Sequence, residues 1–476
     1  MTIQLKNLGI LKHAEFSPGD LTIICGENNT GKTYATYALY GFLRSWRELV
    51  DFSISDAQIQ RLLVDDVLHI DLSQYVKTAN QILVEACEKY RDKLDEVFAA
   101  TEGRFRNSEF YIEVEIPDIL NMKYEREMMS SHSDNWEPDG EWHFSCIKRK
   151  GTEEVIFTLL AKNKRRRKEM LSRTANRFIH NRISDIIFCE SLPFPILPFP
   201  FMISAERTGV AIFRRELNSA RNRLRDEMAQ ADKVMDARNW LSQGYQNYPS
   251  PIEANVEFTG QLEYISKRKS FITKEHPDVL EDFADIIGGD YSITQNDQLY
   301  YIPKGKGIRL TMDQSSSAVR SLLDMGFYLR YVAHKGDMLM VDEPELNLHP
   351  KNQRRIARLF ARLVNLGIKV FVTTHSDYIV KELNTLIMLN HDKPHLKRIA
   401  EENGYRDEEL IRSDQVKVYM AQEALVPLEE GQKRRRRGHT LVEADIDPEL
   451  GIEARSFDDT IDEMNRILDD IVWGAE

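Results

Sequence analysis

Gly26-Glu27-Asn28-Asn29-Thr30-Gly31-Lys32-Thr33 is the stretch that decides the fold. The apolar run Leu21-Thr22-Ile23-Ile24-Cys25 precedes it, and Tyr34-Ala35-Thr36-Tyr37-Ala38-Leu39-Tyr40-Gly41-Phe42-Leu43 follows. Strand, glycine loop and helix in that order are the context that makes a G-x-x-x-x-G-K-[ST] match a phosphate site. Gly26 and Gly31 permit a tight backbone path whose successive N–H groups point inward as an anion nest. The following helix adds its free N–H groups and the positive end of its dipole. Lys32 reaches the β- and γ-phosphates as a compact charge, and the Thr33 hydroxyl is placed to hold Mg²⁺. The nucleotide-binding candidates are therefore Gly26, Asn28, Asn29, Thr30, Gly31, Lys32, Thr33 and Tyr34.

The rest of the composition bounds the molecule. A chain of 476 residues suggests about two to four domains. With 42% hydrophobic and 29% charged residues, it has the balance of a soluble globular protein. It lacks a run of about 18 apolar residues, so no membrane-spanning helix is expected. Met1-Thr2-Ile3-Gln4-Leu5-Lys6 has no apolar signal region, and a cytoplasmic location is expected. Cys25, Cys87, Cys146 and Cys189 lie far apart without a C-x-x-C pair, which reads as reduced thiols and neither a disulfide frame nor a zinc site. A net charge of −12 argues against a surface that coats nucleic acid throughout, and leaves a local basic patch open.

Along the chain, residues 2–25 alternate like two strands around Ser17-Pro18-Gly19-Asp20. Residues 34–50 form the helix after the loop, and residues 51–100 are helical in pattern, with Ile59, Leu62, Leu63 and Val67 at helical spacing. A strand over Phe110–Ile116 follows, then a hairpin of Trp142–Ile147 and Val155–Leu160 across Lys150-Gly151, with a mobile polar loop expected over 123–141. The proline-rich stretch Leu192–Pro200 cannot be a central strand and leads into Phe201-Met202-Ile203-Ser204. A charged helical region without sustained heptads runs from Ala205 to about residue 243. Ile286-Ile287-Gly288-Gly289 is a turn before the strand Gln298–Ile302.

A second set of motifs completes a nucleotide machine. Met338-Leu339-Met340-Val341 reads as a buried parallel strand ending in Asp342-Glu343, next to the phosphate loop. A carboxylate there suits Mg²⁺, and Asp342 takes that role together with Thr33. Glu343 suits the polarisation of an attacking water. Pro344-Glu345-Leu346-Asn347-Leu348-His349-Pro350 leads to a helix with Ile356, Leu359, Phe360, Leu363 and Val364 on one face. Lys369–Thr374 is another buried strand, ending at His375-Ser376, where the histidine can contact a γ-phosphate and the water. Upstream, Gln314-Ser315-Ser316-Ser317 precedes Ala318–Leu323, a serine cap before a helix.

The order of phosphate loop, distant serine signature, Asp-Glu strand and Thr374-His375-Ser376-Asp377-Tyr378 resembles the ATP-binding-cassette heads of the RecF, SMC and OLD group. Within that group it looks like the AAA-type ATPases of bacterial antiphage systems, closest to the Septu (PtuA) class that also occurs with retrons. Motifs cover about residues 1–45 and 285–390, and Ser204-Ala205-Glu206-Arg207 matches loosely. The resemblance implies an α/β ABC-ATPase head with a mixed or parallel sheet flanked by helices, a large helical insertion with antiparallel strands, and a small C-terminal extension. The corresponding segments are 1–50, 51–284, 285–390 and 391–476. It implies hydrolysis of ATP to ADP and phosphate with Mg²⁺, Glu343 and His375 acting as catalytic groups. It further implies a head-to-tail homodimer or higher oligomer in which Ser315, Ser316 and Ser317 of one chain complete the ATP site of the other. Ser317 stands where the family usually has glycine, which predicts slow turnover. The implied partner is an HNH-type endonuclease subunit controlled by nucleotide state, with DNA or a retron nucleic acid as a further candidate. The alternative is a RecF- or SMC-like ATP-dependent DNA clamp. A transporter motor is disfavoured, because the stretch from Thr33 to Ser315 is far longer than that class uses.

Two basic runs remain open between a solvated surface and a contact with nucleic acid or partner. One contains Lys164, Arg165, Arg166 and Arg167; the other is a loop of Lys433, Arg434, Arg435, Arg436 and Arg437. Leu441–Asp447 superficially resembles a Toprim nuclease opening, but too few residues follow it, and a strand leading to a turn at Pro448 is expected. Ser456-Phe457-Asp458-Asp459 opens a final helix, either docked on its own core or offered to a partner.

Overall fold

The structure, a computed structural model, describes all residues except 51–55, 116–123, 130–141, 162–196, 218, 220–247, 296, 428–434, 453–465, 468–469 and 471–476. Lys164–Arg167, Lys433, Arg434 and nearly all of the expected final helix lie outside the described residues. The chain divides into two compact units, one of residues 45–90 and 112–198, the other of residues 2–44, 91–111 and 199–476.

The larger unit is built on a nine-stranded mixed sheet. Its strands are β1 (Thr2–Leu8), β2 (Leu11–Phe16), β3 (Leu21–Cys25), β5 (Glu109–Glu113), β9 (Pro200–Ile203), β13 (Met338–Asp342), β14 (Lys369–Thr374), β15 (Val416–Pro427) and β16 (Arg435–Glu443). Their order is β5-β1-β2-β16-β15-β3-β14-β13-β9. From β15 to β9 every neighbouring pair is parallel. All five residues of β3 and of β13 are buried, as a strand covered on both faces requires. Pro200 opens the terminal strand β9, where a missing N–H is tolerated.

Helices seal the sheet. Lys32–Leu49 follows β3, Pro350–Asn365 follows the β13 loop and Asp377–Leu389 follows β14. Pro350 sits at the start of its helix, and the His349 ring accepts the Lys351 N–H. Ile356, Leu359, Phe360, Leu363 and Val364 are all buried, the face that periodicity anticipates. Removing each such side chain from water is worth about 1.5–3 kcal/mol. A three-stranded sheet of β10 (Gly289–Ile293), β11 (Leu299–Pro303) and β12 (Leu310–Thr311) follows the helix Pro277–Ile287. Gly288, at φ 71°, ends that helix.

The smaller unit holds the helix Asp56–Asp65 and most of Leu72–Arg91, with a four-stranded antiparallel sheet. Its strands are β4 (Val67–Asp71), β6 (Tyr124–Met129), β7 (Trp142–Lys148) and β8 (Glu154–Ala161), ordered β4-β8-β7-β6. The β7–β8 hairpin forms across Gly151.

Several expectations change. Residues 2–25 give three strands, because Asn7 and Gly9 adopt positive φ and turn the chain between Leu8 and its partner Leu11. Val67 leaves the helical pattern: Asp66, at φ 64°, ends the helix, and Val67–Asp71 pairs with β8. Part of the expected polar loop, Tyr124–Met129, is strand. The described residues of 91–111 and 199–284, which the sequence reading assigns to an insertion, fall in the larger unit. Of the section from 391 expected as an extension, β15 and β16 stand inside the sheet between β2 and β3. Arg435, Arg436 and Arg437 are accordingly strand residues, opposite Pro427, Val426 and Leu425, and not loop.

Ending the chain at Arg412 strips β3 of one of its two hydrogen-bonded neighbours. The expected result is loss of cooperative thermal unfolding by circular dichroism. A truncated chain that melts cooperatively near the full-length temperature would show the C-terminal section to be separable.

Candidate functional site

Parallel strands end together, and in this sheet the ends carry the chemistry. The register sets Cys25 beside Thr374 and Thr373 beside Asp342. The loop after β3, the His375 turn after β14 and the Asp342-Glu343 pair of β13 therefore share one edge. In the sheet β14 stands between the loop strand β3 and the acidic strand β13.

The loop has the backbone it needs. Gly26 adopts φ 139°, and a Cβ there would meet the Ala421 carbonyl oxygen at 2.5 Å. Gly31 adopts φ 104° with the Leu11 side chain 2.6 Å from where a Cβ would lie. Asn29 takes the left-handed conformation, at φ 60°, and the Thr30 hydroxyl donates to the Glu27 carbonyl at 2.8 Å. Asn28, Asn29 and Thr33 are exposed, Thr30 is buried and Tyr34 is half-buried. Tyr34 packs on Phe98 and Phe105.

Lys32 is only 6% exposed. Its ammonium donates to the carbonyls of Gly26 at 3.0 Å and Glu27 at 2.7 Å, a charged donor held over the mouth of the loop. Desolvation pulls its pKa down, opposed by the nearby charges of Glu343, Asp342 and Glu345. Asp342 is 4% exposed and accepts the Thr373 hydroxyl. Burial raises its carboxyl to about 6, which a cation at this edge would reverse. Glu343 sits at φ 50°, a conformation a non-glycine residue holds only when its surroundings impose it. His375 Nε2 lies 3.5 Å from Glu343 Oε1.

Three residues were not picked out by sequence reasoning. Glu345 accepts the His375 N–H at 2.6 Å and the Thr374 hydroxyl at 2.9 Å, so it ties the β13 loop to the histidine turn. Glu206, just after β9, adds negative charge near both Tyr37 and Asp342. Arg207 is buried and donates to the carbonyls of both Asp342 and Glu343. The signal in the sequence is a charged residue immediately after a buried strand.

The serine signature lies on a separate segment, at the start of the helix Ser317–Ser321. Ser316 caps the short helix Ser317–Ser321 through Val319 N–H, and Ser315 donates to the Thr311 carbonyl at 2.8 Å. Arg320 clips the turn by donating to the carbonyls of Met312 and Ser315. Ser315 is buried, Ser316 exposed and Ser317 half-buried. Arg435, Arg436 and Arg437 are exposed on β16, remote in sequence from this edge. Of the four cysteines, Cys25 and Cys87 are free and buried, and burial pushes both thiols up to about 12. Among the described residues no helix is long and apolar enough to cross a membrane.

An SMC head bound to the C-winged helix domain of ScpA is 12% identical, with 93% of this chain and 97% of that chain covered and a TM-score of 0.33. The SMC head domain from Thermotoga maritima is 11% identical, covering 94% and 98%, with a TM-score of 0.27. An SMC head with an extended coiled coil from Pyrococcus furiosus is 12% identical, covering 98% and 98%, with a TM-score of 0.29. A search of curated proteins gives no match. The model of the AAA ATPase domain family matches residues 1–380, most of the chain, and the protein belongs to that family.

Proposed function

We propose that this chain binds ATP at the loop after β3 and hydrolyses it slowly to ADP and phosphate. The observation that carries the reading is the convergence of Lys32, Asp342, Glu343 and His375 at one end of three parallel strands. The loop N–H groups and Lys32 hold the phosphates. Glu343 orients and polarises the attacking water, and His375, 3.5 Å from it, steadies that carboxylate and contacts the γ-phosphate. The residues fit Mg²⁺: Thr33 and Asp342 offer hard oxygen donors. Among the described residues no cluster of three His, Cys, Asp or Glu forms a metal cage. When bound with nucleotide, the ion would supply neutralisation of phosphate charge. Ser315, Ser316 and Ser317 act on the nucleotide of a second copy, in a head-to-tail dimer.

The output of such an ATPase is mechanical or regulatory. The resemblance to Septu-class defence ATPases supports control of an HNH-type endonuclease subunit by nucleotide state. The sequence shows no constellation for nuclease or protease chemistry of its own. The second reading, an SMC- or RecF-like clamp, predicts salt-sensitive DNA binding by the ATP-bound dimer without a nuclease.

Lys32→Ala is expected to abolish ATP binding in equilibrium dialysis. Glu343→Gln is expected to bind ATP normally, lose turnover by about 100-fold or more, and run as a dimer with ATP on size exclusion with light scattering. Unchanged turnover in Glu343→Gln would remove that residue from the chemistry. A tagged pull-down from the native host separates the two outputs. A bound HNH-type subunit with ATP-responsive nuclease activity is the expected result; a single species that binds DNA only with ATP would favour the clamp.

A further inference from the structure

Arg207 is among the largest fully buried side chains of the described residues. A guanidinium carries five N–H donors in a fixed plane and stays charged in proteins. Buried, it must find acceptors for those donors and charge to balance it. Here the acceptors are all backbone carbonyls. Nε donates to Ser321 at 2.8 Å, Nη1 to Ser204 at 2.9 Å and Asp342 at 2.7 Å, and Nη2 to Glu343 at 2.6 Å. These carbonyls belong to three elements: the end of β9, the end of β13 and the last residue of the helix behind the serine signature.

The balancing charge is spread in the same way. The acids around the guanidinium are Asp342, Asp324, Glu345 and Glu343. Asp324 lies in the helix Leu323–Phe327, directly after the signature helix, is fully buried, and its Oδ2 has no hydrogen-bond partner. Arg207 is the cation that offsets it. One side chain thus bonds the end of the strand that leads into Glu343 to the segment that carries Ser315–Ser317. It also holds the carbonyl of a residue in the left-handed conformation, whose N–H is fixed by the Thr373 carbonyl at 3.0 Å.

We propose that Arg207 is a positioning residue that sets the orientation of Glu343 and couples it to the signature helix. This rests on the reading of Glu343 as the water-orienting group and of the serines as acting on the partner's nucleotide. In that dimer, Glu343 serves the chain's own ATP and the serines serve the other. A rigid guanidinium between them makes the two composite sites respond together. Lysine in its place keeps the charge, but a single ammonium cannot span three elements.

The test compares full-length wild type with Arg207→Lys, using Mg²⁺-ATP. ATP affinity is read by equilibrium dialysis, turnover by phosphate release, and local motion by amide hydrogen exchange. Arg207→Lys is expected to bind ATP within about 3-fold of wild type and to lose about 100-fold in kcat with little change in KM, the cost of a misplaced catalytic group. ATP should protect peptides around residues 317–327 in wild type and not in the variant. In wild type alone, peptides 317–327 and 342–348 should gain protection at the same ATP concentration; independent responses there overturn the inference even if the variant does not fold. A variant with wild-type kcat and wild-type protection overturns it while leaving the ATPase reading intact. A wild type that binds no ATP overturns that reading, and this inference with it.

Discussion

A parallel strand buried on both faces cannot leave its edges unpaired, and that constraint on β3 organises the molecule. Its hydrogen-bonding groups are taken up by β14 on one side and β15 on the other, both in parallel register from Leu21 to Cys25. Since parallel strands share a direction, the loop that follows β3 opens at the edge where β14 and β13 also end. The demand reaches across the sequence. Tyr419, on β15, both donates to and accepts from the Ser17 backbone and packs edge-on against Phe16. Position 26 is restricted to glycine as much by the Ala421 carbonyl as by its own φ. The far end of the chain is part of the wall of the phosphate loop.

The second layer of organisation is made of charges aimed at backbone. Arg207 ends on four carbonyls, Lys32 on two, and Glu345 takes a main-chain N–H together with a hydroxyl. Such bonds fix where the chain runs, which sets the direction of side chains without contacting a ligand. A buried charge satisfied in this way costs less than an orphan one, and its removal strands every carbonyl it served. The cluster near the helix Pro350–Asn365 works differently. Arg354 and Arg358 grip Glu382, and Arg362 grips Asp278 and Asp282, side chain to side chain. That network ties together the helices that follow β13 and β14 and the one before β10.

Much of the site was legible because its residues are adjacent in sequence. Gly26–Thr33, Asp342-Glu343 and His375 each announce themselves at the end of an apolar run, and the run is what fixes their position. The face of Pro350–Asn365 was legible for the same reason, since its period records burial directly. Pairing across long separations was not. Nothing in Val416–Met420 says that it lies beside Leu21–Cys25, and the charged Arg435–Arg437 reads as loop because composition is blind to a partner strand. The turns at Gly9 and Asp66 were missed because they depend on one residue's φ inside a continuous pattern. Arg207 was missed because an arginine at a helix start looks like surface until its carbonyl acceptors, far apart in sequence, are brought together.

The central claim is that one ATP site is built from two chains, the loop of one and the serine segment of the other. The most direct measurement is phosphate release from a mixture of two inactive variants. Lys32→Ala removes the phosphate-binding charge of the proposed site, and Ser317→Arg puts a bulky side chain in the serine segment proposed to face the partner's nucleotide, while keeping the Ser316 hydroxyl that accepts the Val319 N–H. Mixed dimers contain one site with both lesions and one with neither. Free exchange of subunits should therefore restore about a quarter of the unmodified rate per chain, with neither variant active alone. A mixture that stays silent although its subunits exchange, or a Ser317→Arg protein that is active by itself, would contradict the account.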